Sequence, residues 1–490
     1  MNLAAHDLAR VLHVDPPALL EPITAVTNDS RAVGPGSVYV AVKGFARDGA
    51  DFAQDAVQAG ARLVVAEHEI PQLFGAPVAV VPDARVALAA LAVELADHPS
   101  RDLTVYGITG TNGKTTSSYV LHSILSSAYG DRATGLMTTA EIVVGKHREP
   151  AVRTTGEAPQ VQGNLARMRD EGVAHVILET SSHGIQLHRV EGTAYAAALF
   201  TNLTRDHLDL HGDMESYYLV KRRLFEWTTG PKLANGDDEY GVRLAAEIEG
   251  TLLFGSSADS DYQITDQRVD GGETSFRLSR PGKKAQLLIK TPLLGDYNVH
   301  NVAGAAAMAL EMGMAPDTLT DAIRQMPQVP GRFERIATAR ASGFEVIVDY
   351  AHTDVGLREV LQVARDVADT CGGRLICVYG ACGDRDTAKR PLMGAVASQL
   401  ADLGIITTDD AYTESPAQIA EQVAAGADVT RTSIELDRRT AIDSALRQAR
   451  HGDVVVIAGK GHERVQHLSE GDVDFHDATV IEELLAVRQT

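Results

Sequence analysis

The sequence predicts an α/β protein of three domains, each built on a mainly parallel sheet. Apolar β-branched runs alternate with Ala/Leu-rich amphipathic segments almost throughout, the pattern of strands that cross over through helices. A chain of 490 residues is too long for one hydrophobic core, and about three domains is its natural division. Many strand-like runs end in Gly, Asp or Thr, where open α/β sheets gather their functional groups.

In order, residues 1–98 open with a helix-like stretch, continue through the short runs SVYVAV, ARLVVA and PVAVV, and close on the helix of ALAALAVELADH. Residues 99–331 begin at the strand-like LTVYGIT and contain VAHVILET, AALFTNLT and the Ala-rich helix NVAGAAAMALEMG. After the Gly/Pro punctuation of VPGR, residues 332–490 run through FEVIVDYAH, RLICVYGACG, LGIITTDD and DVVVIAGKG, each a buried-looking strand. There is no internal repeat and no low-complexity tract.

Hydrophobic residues make up 44% and charged residues 23% of the chain, ordinary for a soluble protein with sizeable cores. A formal net charge of −21 argues against a surface that neutralises nucleic acid or an anionic membrane, while leaving room for a local basic site for a small anion. No run of about 18 uncharged apolar residues is present, so no bilayer span is expected. The start, MNLAAHDLARVLHVDP, carries acids and histidines where a signal peptide needs an unbroken apolar stretch, so a cytoplasmic location is expected. Cys371, Cys377 and Cys382 fit no common zinc spacing and read as buried free thiols in a reducing compartment.

The strongest motif is Gly107-Ile-Thr-Gly110-Thr111-Asn112-Gly113-Lys114-Thr115-Thr116, between a strand and an amphipathic helix. Glycines let backbone N–H groups close around phosphate oxygens, and the helix N-terminus adds partial positive charge. Lys114 would reach the β/γ phosphates and the Thr115 hydroxyl would ligate Mg²⁺. The bland alternative is a Gly-rich turn before an ordinary helix. The glycines recur every third residue, with Ile108 where the common P-loop pattern has a glycine.

That triplet spacing resembles the GxxGTxGKT loop of the Mur ligases, and the resemblance runs along nearly the whole chain. Glu179-Thr-Ser181-Ser182-His183, Thr201-Asn-Leu-Thr-Arg-Asp206-His207-Leu-Asp209 and Lys221-Arg-Arg-Leu-Phe225 are similar to family elements, the last to one that carries a carbamylated lysine. So are Asn298 with Asn301, Gly331-Arg332-Phe-Glu334, and Asp349-Tyr350-Ala-His352. Asp29-Ser30-Arg31, Thr154-Thr155-Gly156, Gly383-Asp384-Arg385-Asp386 with Lys389-Arg390, and Gly459-Lys-Gly-His-Glu463 resemble the branch called MurE, which adds the third residue to UDP-N-acetylmuramoyl-L-alanyl-D-glutamate.

The resemblance implies a UDP-muramoyl-binding domain (1–98), a central P-loop ATPase domain (99–331) and a C-terminal Rossmann-like domain that binds the amino acid (332–490). It implies an ATP-dependent ligase that activates a carboxylate as an acyl phosphate and joins it to an amine, with ATP, UDP-muramoyl-dipeptide and a diamino acid as its partners and a monomer as its form. Lys114, Glu179, His207 and Lys221 would be catalytic. Glu179 and His207, with Thr115 and a carbamylated Lys221, would hold Mg²⁺. Read alone, a strand-end acid such as Glu179 is more often a helix cap or surface acid, a lone histidine such as His207 more often structural, and Lys221 more often a solvated helix residue. Its neighbours Arg222 and Arg223 would push Lys221 toward the neutral amine that carbamylation needs. Asn298 and Asn301 would contact the adenine end of ATP, although Asn298 could equally cap its helix; Arg332, Asp349 and His352 would close on the nucleotide. After His352 the family's Thr-Pro-Asp reads Thr353-Asp354-Val355, a departure at that loop.

Ser30 and the turn from Lys43-Gly44 would hold the uridine diphosphate. Phe45 would either stack on uracil or pack beneath the turn. Thr154, Thr155, Ser181, Gln186 and Arg189 are counterparts of residues that grip the muramoyl-dipeptide. In the third domain Arg385 would bind the α-carboxylate of the amino acid, near Asp409, Asp410, Tyr412, Gly459 and Glu463. Enzymes of the branch that take meso-diaminopimelate carry D-N-P-R where this chain reads Asp409-Asp410-Ala411-Tyr412, so the Arg for a distal carboxylate is missing. Two adjacent acids favour a distal ammonium, lysine or ornithine, and the bulk of Tyr412 favours the shorter ornithine. The alternatives are the same ligase acting on meso-diaminopimelate, another Mur-type ligase such as a folylpolyglutamate synthase, and a muropeptide-binding regulator without turnover.

Overall fold

The structure, a computed structural model, describes residues 2–15, 21–44, 47–282 and 286–488. The first sheet holds four parallel strands in sequence order, β1 (Ala25–Thr27), β2 (Ser37–Val40), β3 (Ala61–Ala66) and β4 (Val78–Val80). Alternation decides its faces. Val38, Val40, Leu63 and Val65 pack with Leu88 and Leu91 of the helix Ala84–Leu95, while Tyr39 and Val64 pack with Ala53 and Ala56 on the other side. Asp83 caps that helix, accepting from the backbone of Arg85 and Val86 at 2.8 and 3.0 Å.

The central sheet is built from β5 (Thr104–Thr109), β6 (Thr134–Met137), β7 (Glu141–Val144), β8 (His147–Pro150), β9 (His175–Glu179), β10 (Ala197–Phe200), β11 (Lys232–Asn235) and β12 (Thr251–Gly255). Parallel pairing runs β12-β11-β10-β5-β9-β6, and β7 and β8 extend it as antiparallel strands. The functional strands β5, β9 and β10 therefore lie side by side with their carboxyl ends together. The strand β8 is largely exposed and reads His-Arg-Glu-Pro, so it lacks the apolar alternation that announces a strand. Three more strands follow, β13 (Tyr262–Asp270), β14 (Glu273–Ser279) and β15 (Gln286–Thr291).

The C-terminal sheet takes β16 (Glu334–Arg335), β17 (Glu345–Asp349), β18 (Leu375–Tyr379), β19 (Leu403–Ile406), β20 (Thr432–Ile434) and β21 (Val454–Ala458), in the order β16-β17-β21-β18-β19-β20. All neighbours are parallel except β16 with β17. Helices cover both faces. Cys377, Tyr379 and Val456 pack toward Leu357 and Met393, and Val346, Val378 and Ile457 toward Ile442 and Ile481. Burial on both sides is why these strands read as unbroken apolar runs. A hairpin, β22 (Val465–Leu468) with β23 (Gly471–Asp474), follows β21.

The chain gathers into two compact units, Met1–Ile264 with Ser279–Ala285 and Ala303–Ala322, and Thr265–Leu278 with Gln286–Val302 and Ile323–Thr490. Among the described residues no helix is long and apolar enough to cross a membrane. The expectation of three buried thiols needs correction: Cys377 is buried and Cys382 half-buried, but Cys371 is exposed at the last turn of the helix Asp354–Cys371.

Candidate active site

The phosphate cradle forms where β5 stops. Gly110 (φ +150°) and Gly113 (φ +83°) turn the chain into the helix Lys114–Tyr129. A Cβ on Gly110 would stand 1.8 Å from the Thr201 hydroxyl, so glycine is required there. The end of β10 braces the loop. Asn112 N–H donates to the Asn202 side chain (2.9 Å), the Thr201 hydroxyl donates to Asn112 O (2.6 Å), and Thr111 N–H donates to Asn202 O (2.9 Å). Lys114 Nζ donates to Thr111 O at 2.8 Å, curled over its own loop. Thr115 and Thr116 are buried, and the Thr115 hydroxyl donates to the Glu179 carboxylate at 3.0 and 3.2 Å. Glu179, at the end of β9, also accepts from Thr139 N–H at 3.1 Å.

Lys221 arrives from the helix Met214–Trp227. Its Nζ donates to Gly110 O at 2.7 Å and lies 4.7 Å from the Tyr217 ring centroid, fully buried. Burial first, then the charge of Lys114, pushes its ammonium well below the usual lysine range, against Asp206 and Glu179. Arg222 and Arg223 are not the cause expected from sequence. Arg222 pairs with Glu226 and Glu247, and Arg223 with Glu191 and the Trp227 face. His207 adopts φ +53°, its ring 4.7 Å edge-on from His183. Its side chain is 42% exposed; crowding by the surrounding protein lowers its pKa, the charges of Lys114 and Lys221 act in the same direction, and Asp206 opposes them. Lys221 thus lies within electrostatic reach of Lys114, Glu179 and His207, Lys114 within reach of His207, and Thr115 within hydrogen-bonding reach of Glu179. The Thr115 hydroxyl and Glu179 carboxylate supply hard oxygen donors beside the cradle, so these residues fit Mg²⁺.

Next to them, Thr155 Oγ1 donates to the Glu179 carbonyl at 2.9 Å and lies 3.0 Å from Ser181 Oγ. Ser181 caps the short helix Ser182–Gln186, whose last residue, Gln186, is exposed. Arg189 donates to Thr155 O (3.1 Å) and pairs with Glu157 (2.7 Å); burial lowers its pKa against the pull of Glu157. Thr154 and Thr155 line a cleft of about 210 Å³ together with Thr138, Arg153 and Gln160. In the first sheet's loops Asp29 caps the turn Ser30–Ala32 and pairs with Arg31 at 2.9 Å. The backbones of Lys43 and Asp48 form an isolated antiparallel β-bridge, and Gly44 N–H donates to Arg47 O at 2.9 Å. Phe45 lies outside the described residues.

The second unit carries the other predicted nucleotide residues. Asn298 and Asn301 are buried on the helix Asp296–Glu311. Asn298 Nδ2 donates back to Leu294 O (2.8 Å) and Asn301 Nδ2 to Asn298 Oδ1 (3.1 Å), so Asn298 lies inside the helix and is not its cap. Asp349 accepts from Phe333 N–H (2.6 Å) and Ala351 N–H (2.8 Å); burial raises its carboxyl against Arg332, whose guanidinium covers the Tyr350 ring at 4.4 Å. His352 Nδ1 is 2.8 Å from Tyr350 O. The departure at Thr353-Asp354-Val355 is a regular cap: the Thr353 hydroxyl accepts from Gly356 N–H.

At the carboxyl ends of β18, β19 and β21 lies a cluster of acids. Asp409 Oδ1 accepts from Asp410 N–H (2.9 Å), while Oδ2 is buried with no hydrogen-bond partner among the described residues. Gly459 (φ +116°) passes so close that a Cβ there would be 2.4 Å from that oxygen. Lys460 Nζ, fully buried, donates to Asp410 (2.7 Å) and Glu463 (3.0 Å), and Tyr350 OH donates to Glu463 (3.2 Å). Burial opposes the charge on Lys460, but Asp409, Glu463 and Asp410 hold its ammonium above the usual range. Burial likewise raises Glu463, with Asp409 and Asp410 adding to it against Lys460. The expectation that both adjacent acids await an incoming ammonium is corrected: Lys460 already neutralises Asp410. Tyr412 packs flat on His467, and the exposed Arg385 guanidinium stands 5.4 Å from its ring.

Profiles of three domains match the chain in order: "Mur ligase family, catalytic domain" over residues 22–94, "Mur ligase middle domain" over 108–309 and "Mur ligase, glutamate ligase domain" over 331–461. A relative from Solibacter usitatus, named UDP-N-acetylmuramoyl-L-alanyl-D-glutamate–2,6-diaminopimelate ligase, is 39% identical over 94% of this chain and 93% of its own. The chain belongs to the Mur ligase family. A Geobacillus kaustophilus protein of the same name is 40% identical over 94% of both chains. A solved structure titled as that ligase covers 100% of both chains at 30% identity and TM-score 0.67. MurF from Acinetobacter baumannii, at 18% identity, TM-score 0.68 and 99% coverage of both chains, shares the fold. The Mur ligase described here is therefore a three-domain α/β enzyme that forms amide bonds with ATP.

Several groups in this Mur ligase escaped the sequence reading. Asn202 and Tyr217 brace the cradle, Tyr217 by a 3.2 Å contact with the Thr111 hydroxyl. Lys460 stood inside a quoted motif, where its neighbours drew attention first. Arg390, fully buried, forms a bidentate pair with Glu414 and also donates to Cys382 O, fixing the loop that carries Arg385. Only the pairing of a motif arginine with a later acid could have signalled it.

Proposed function

We propose that this ligase adds a basic diamino acid, L-lysine or L-ornithine, to the D-glutamyl carboxylate of UDP-N-acetylmuramoyl-L-alanyl-D-glutamate in the cytoplasm. Domain boundaries near residues 98 and 331 and a monomeric form go with that reading. The single observation that carries the substrate assignment is the 2.9 Å bond from the Thr155 hydroxyl to the Glu179 carbonyl. It joins the Thr154–Thr155, Ser181 and Arg189 group, the counterpart of a muramoyl-dipeptide grip, to the phosphate cradle.

In this reading the carboxylate attacks the γ-phosphorus of ATP, giving an acyl phosphate and ADP; the amine then attacks the acyl carbon, expelling phosphate and losing a proton to solvent. Anion–anion repulsion is the barrier in the first step, and positioned cations are the remedy. Lys114 supplies one charge. Thr115, Glu179, His207 and Lys221 would hold Mg²⁺, which would neutralise phosphate oxygens. Lys221, its ammonium disfavoured by burial and by Lys114, is suited to add CO₂ as the neutral amine: its nitrogen lone pair bonds the carbon, a proton leaves to solvent, and a carbamate anion results. Asn298, Asn301, Arg332, Asp349 and His352 would take the nucleotide, and Ser30 and Lys43–Gly44 the uridine diphosphate.

The choice of amine rests on charge. Asp409, Asp410 and Glu463 face the Lys460 ammonium, and the nearby Arg438 guanidinium is taken up by its own pair with Asp477, so acids outnumber cations in the cluster. Tyr412 feels it: burial, then Asp410, pushes its hydroxyl up to about 12. Asp409 Oδ2 is the acceptor left for a distal ammonium, whereas a distal carboxylate would be repelled. The relatives' name favours meso-diaminopimelate as the second reading. One UDP-dipeptide assayed with an amine panel and mass detection of product separates them. Higher kcat/KM for lysine or ornithine is expected; a value for meso-diaminopimelate equal to or above both overturns the amine assignment and leaves the ligase intact.

A further inference from the structure

A tyrosine on a loop can wall a pocket only if its ring is held. Tyr412 has a left-handed backbone (φ +49°), uncommon for a bulky residue and sustained only where neighbours enforce it. The enforcing neighbour is the hairpin β22–β23. Tyr412 N–H donates to His467 O at 3.1 Å, and His467 N–H donates to Asp410 Oδ1 at 2.9 Å, the carboxylate that also takes Lys460. The His467 imidazole lies against the phenol ring, centroids 5.3 Å apart and planes 11° from parallel. Across the hairpin, Asp472 Oδ1 is 2.7 Å from His467 Nδ1 and fixes the imidazole in turn. The ring so held stands beside Arg385, the arginine assigned to the amino acid's α-carboxylate.

We infer that His467 is a positioning residue for amine selection: stacked on Tyr412 and anchored to Asp410 and Asp472, it holds the phenol ring as a wall of the amine pocket. This rests on the reading of Tyr412 as part of that pocket. Neither residue need touch the reacting atoms. Their effect belongs in the fit of the amine's far end, where one methylene is worth about 10- to 200-fold in selectivity.

The test measures kcat and KM for lysine and ornithine in the full-length wild type, Tyr412→Ala, His467→Ala, the double variant and His467→Phe. Tyr412→Ala should move the lysine-to-ornithine ratio toward lysine by about tenfold. His467→Ala should move it the same way by about 2- to 12-fold, the range of a stacked aromatic pair. The change should appear in KM for the amine, with KM for ATP unchanged. The double variant should equal Tyr412→Ala alone, because both substitutions act on one ring. His467→Phe, which keeps a flat ring but loses the Asp472 contact, should shift the ratio less than His467→Ala. His467→Leu is measured in the same way in case the alanine variant does not fold. A wild-type ratio in His467→Ala or His467→Leu, beside a shifted Tyr412→Ala, overturns the role of His467 and leaves the pocket reading standing. Unchanged ratios in both single variants, or a wild type that uses meso-diaminopimelate best, overturn the pocket reading and this inference together.

Discussion

The Lys221 nitrogen donates to the Gly110 carbonyl at 2.7 Å with the Tyr217 ring beside it and solvent excluded. An ammonium is poorly served there, because burial removes its hydration and Lys114 repels it. The sequence offered the right direction for the wrong reason. It placed Arg222 and Arg223 next to Lys221, yet on a helix adjacent residues point apart, and both guanidinium groups leave for glutamates. What disfavours the charge on Lys221 is first its burial and then Lys114 of the P-loop, distant in sequence. Replacing Lys221 by Ala is expected to remove most activity. High bicarbonate should not restore it, whereas acetate, a small carboxylate able to enter the vacated site, should do so in part. Wild-type turnover by Lys221→Ala in CO₂-depleted buffer would rule out a role for a carbamate. Lys114→Ala should fold normally and lose at least about 10²–10³-fold in kcat, as expected when a preorganised charge is removed from phosphoryl transfer; near-normal ADP release by that variant would sink the cradle assignment.

Among elements, strand–loop–helix is the one whose sequence says most, because glycines at positive φ, a lysine and a hydroxyl must occur in fixed order. Gly110→Ala tests it. The new methyl would overlap the Thr201 hydroxyl at 1.8 Å in a backbone region that costs an alanine about 1–3 kcal/mol. A loss of ATP affinity of about tenfold or more is expected, together with a lower Tm; unchanged nucleotide binding by titration calorimetry would show that the loop does not hold phosphate. The brace was not legible. Thr201 and Asn202 directly follow β10, and nothing in their local sequence says that they reach Asn112. The hairpin β22–β23 was missed for a related reason: β22 is half-buried and β23 exposed throughout, so alternation is weak and only the pairing with Asp410 gives it purpose.

For the whole molecule, alternation of strand and helix was legible because parallel strands covered on both faces must be apolar throughout, as β18 and β21 are. Individual charges were less so: counting acids at 409, 410 and 463 could not reveal that a buried lysine three residues from the last already pairs with two of them. Function at this scale is coupling. Sustained, multiple-turnover ADP release is expected only when UDP-dipeptide and amine are both present, since the acyl phosphate must form on one and be discharged by the other; ADP formation indifferent to both would favour a regulator with residual ATPase activity. The cysteines have a practical use. Cys371 is exposed at a helix end, whereas Cys377 is buried and Cys382 has its thiol raised by burial next to the loop that Arg390 clamps. The native chain thus offers one fast site for a maleimide dye without any engineering, and a second, slower labelling at Cys382 would act as a clock for how often the loop bearing Arg385 breathes.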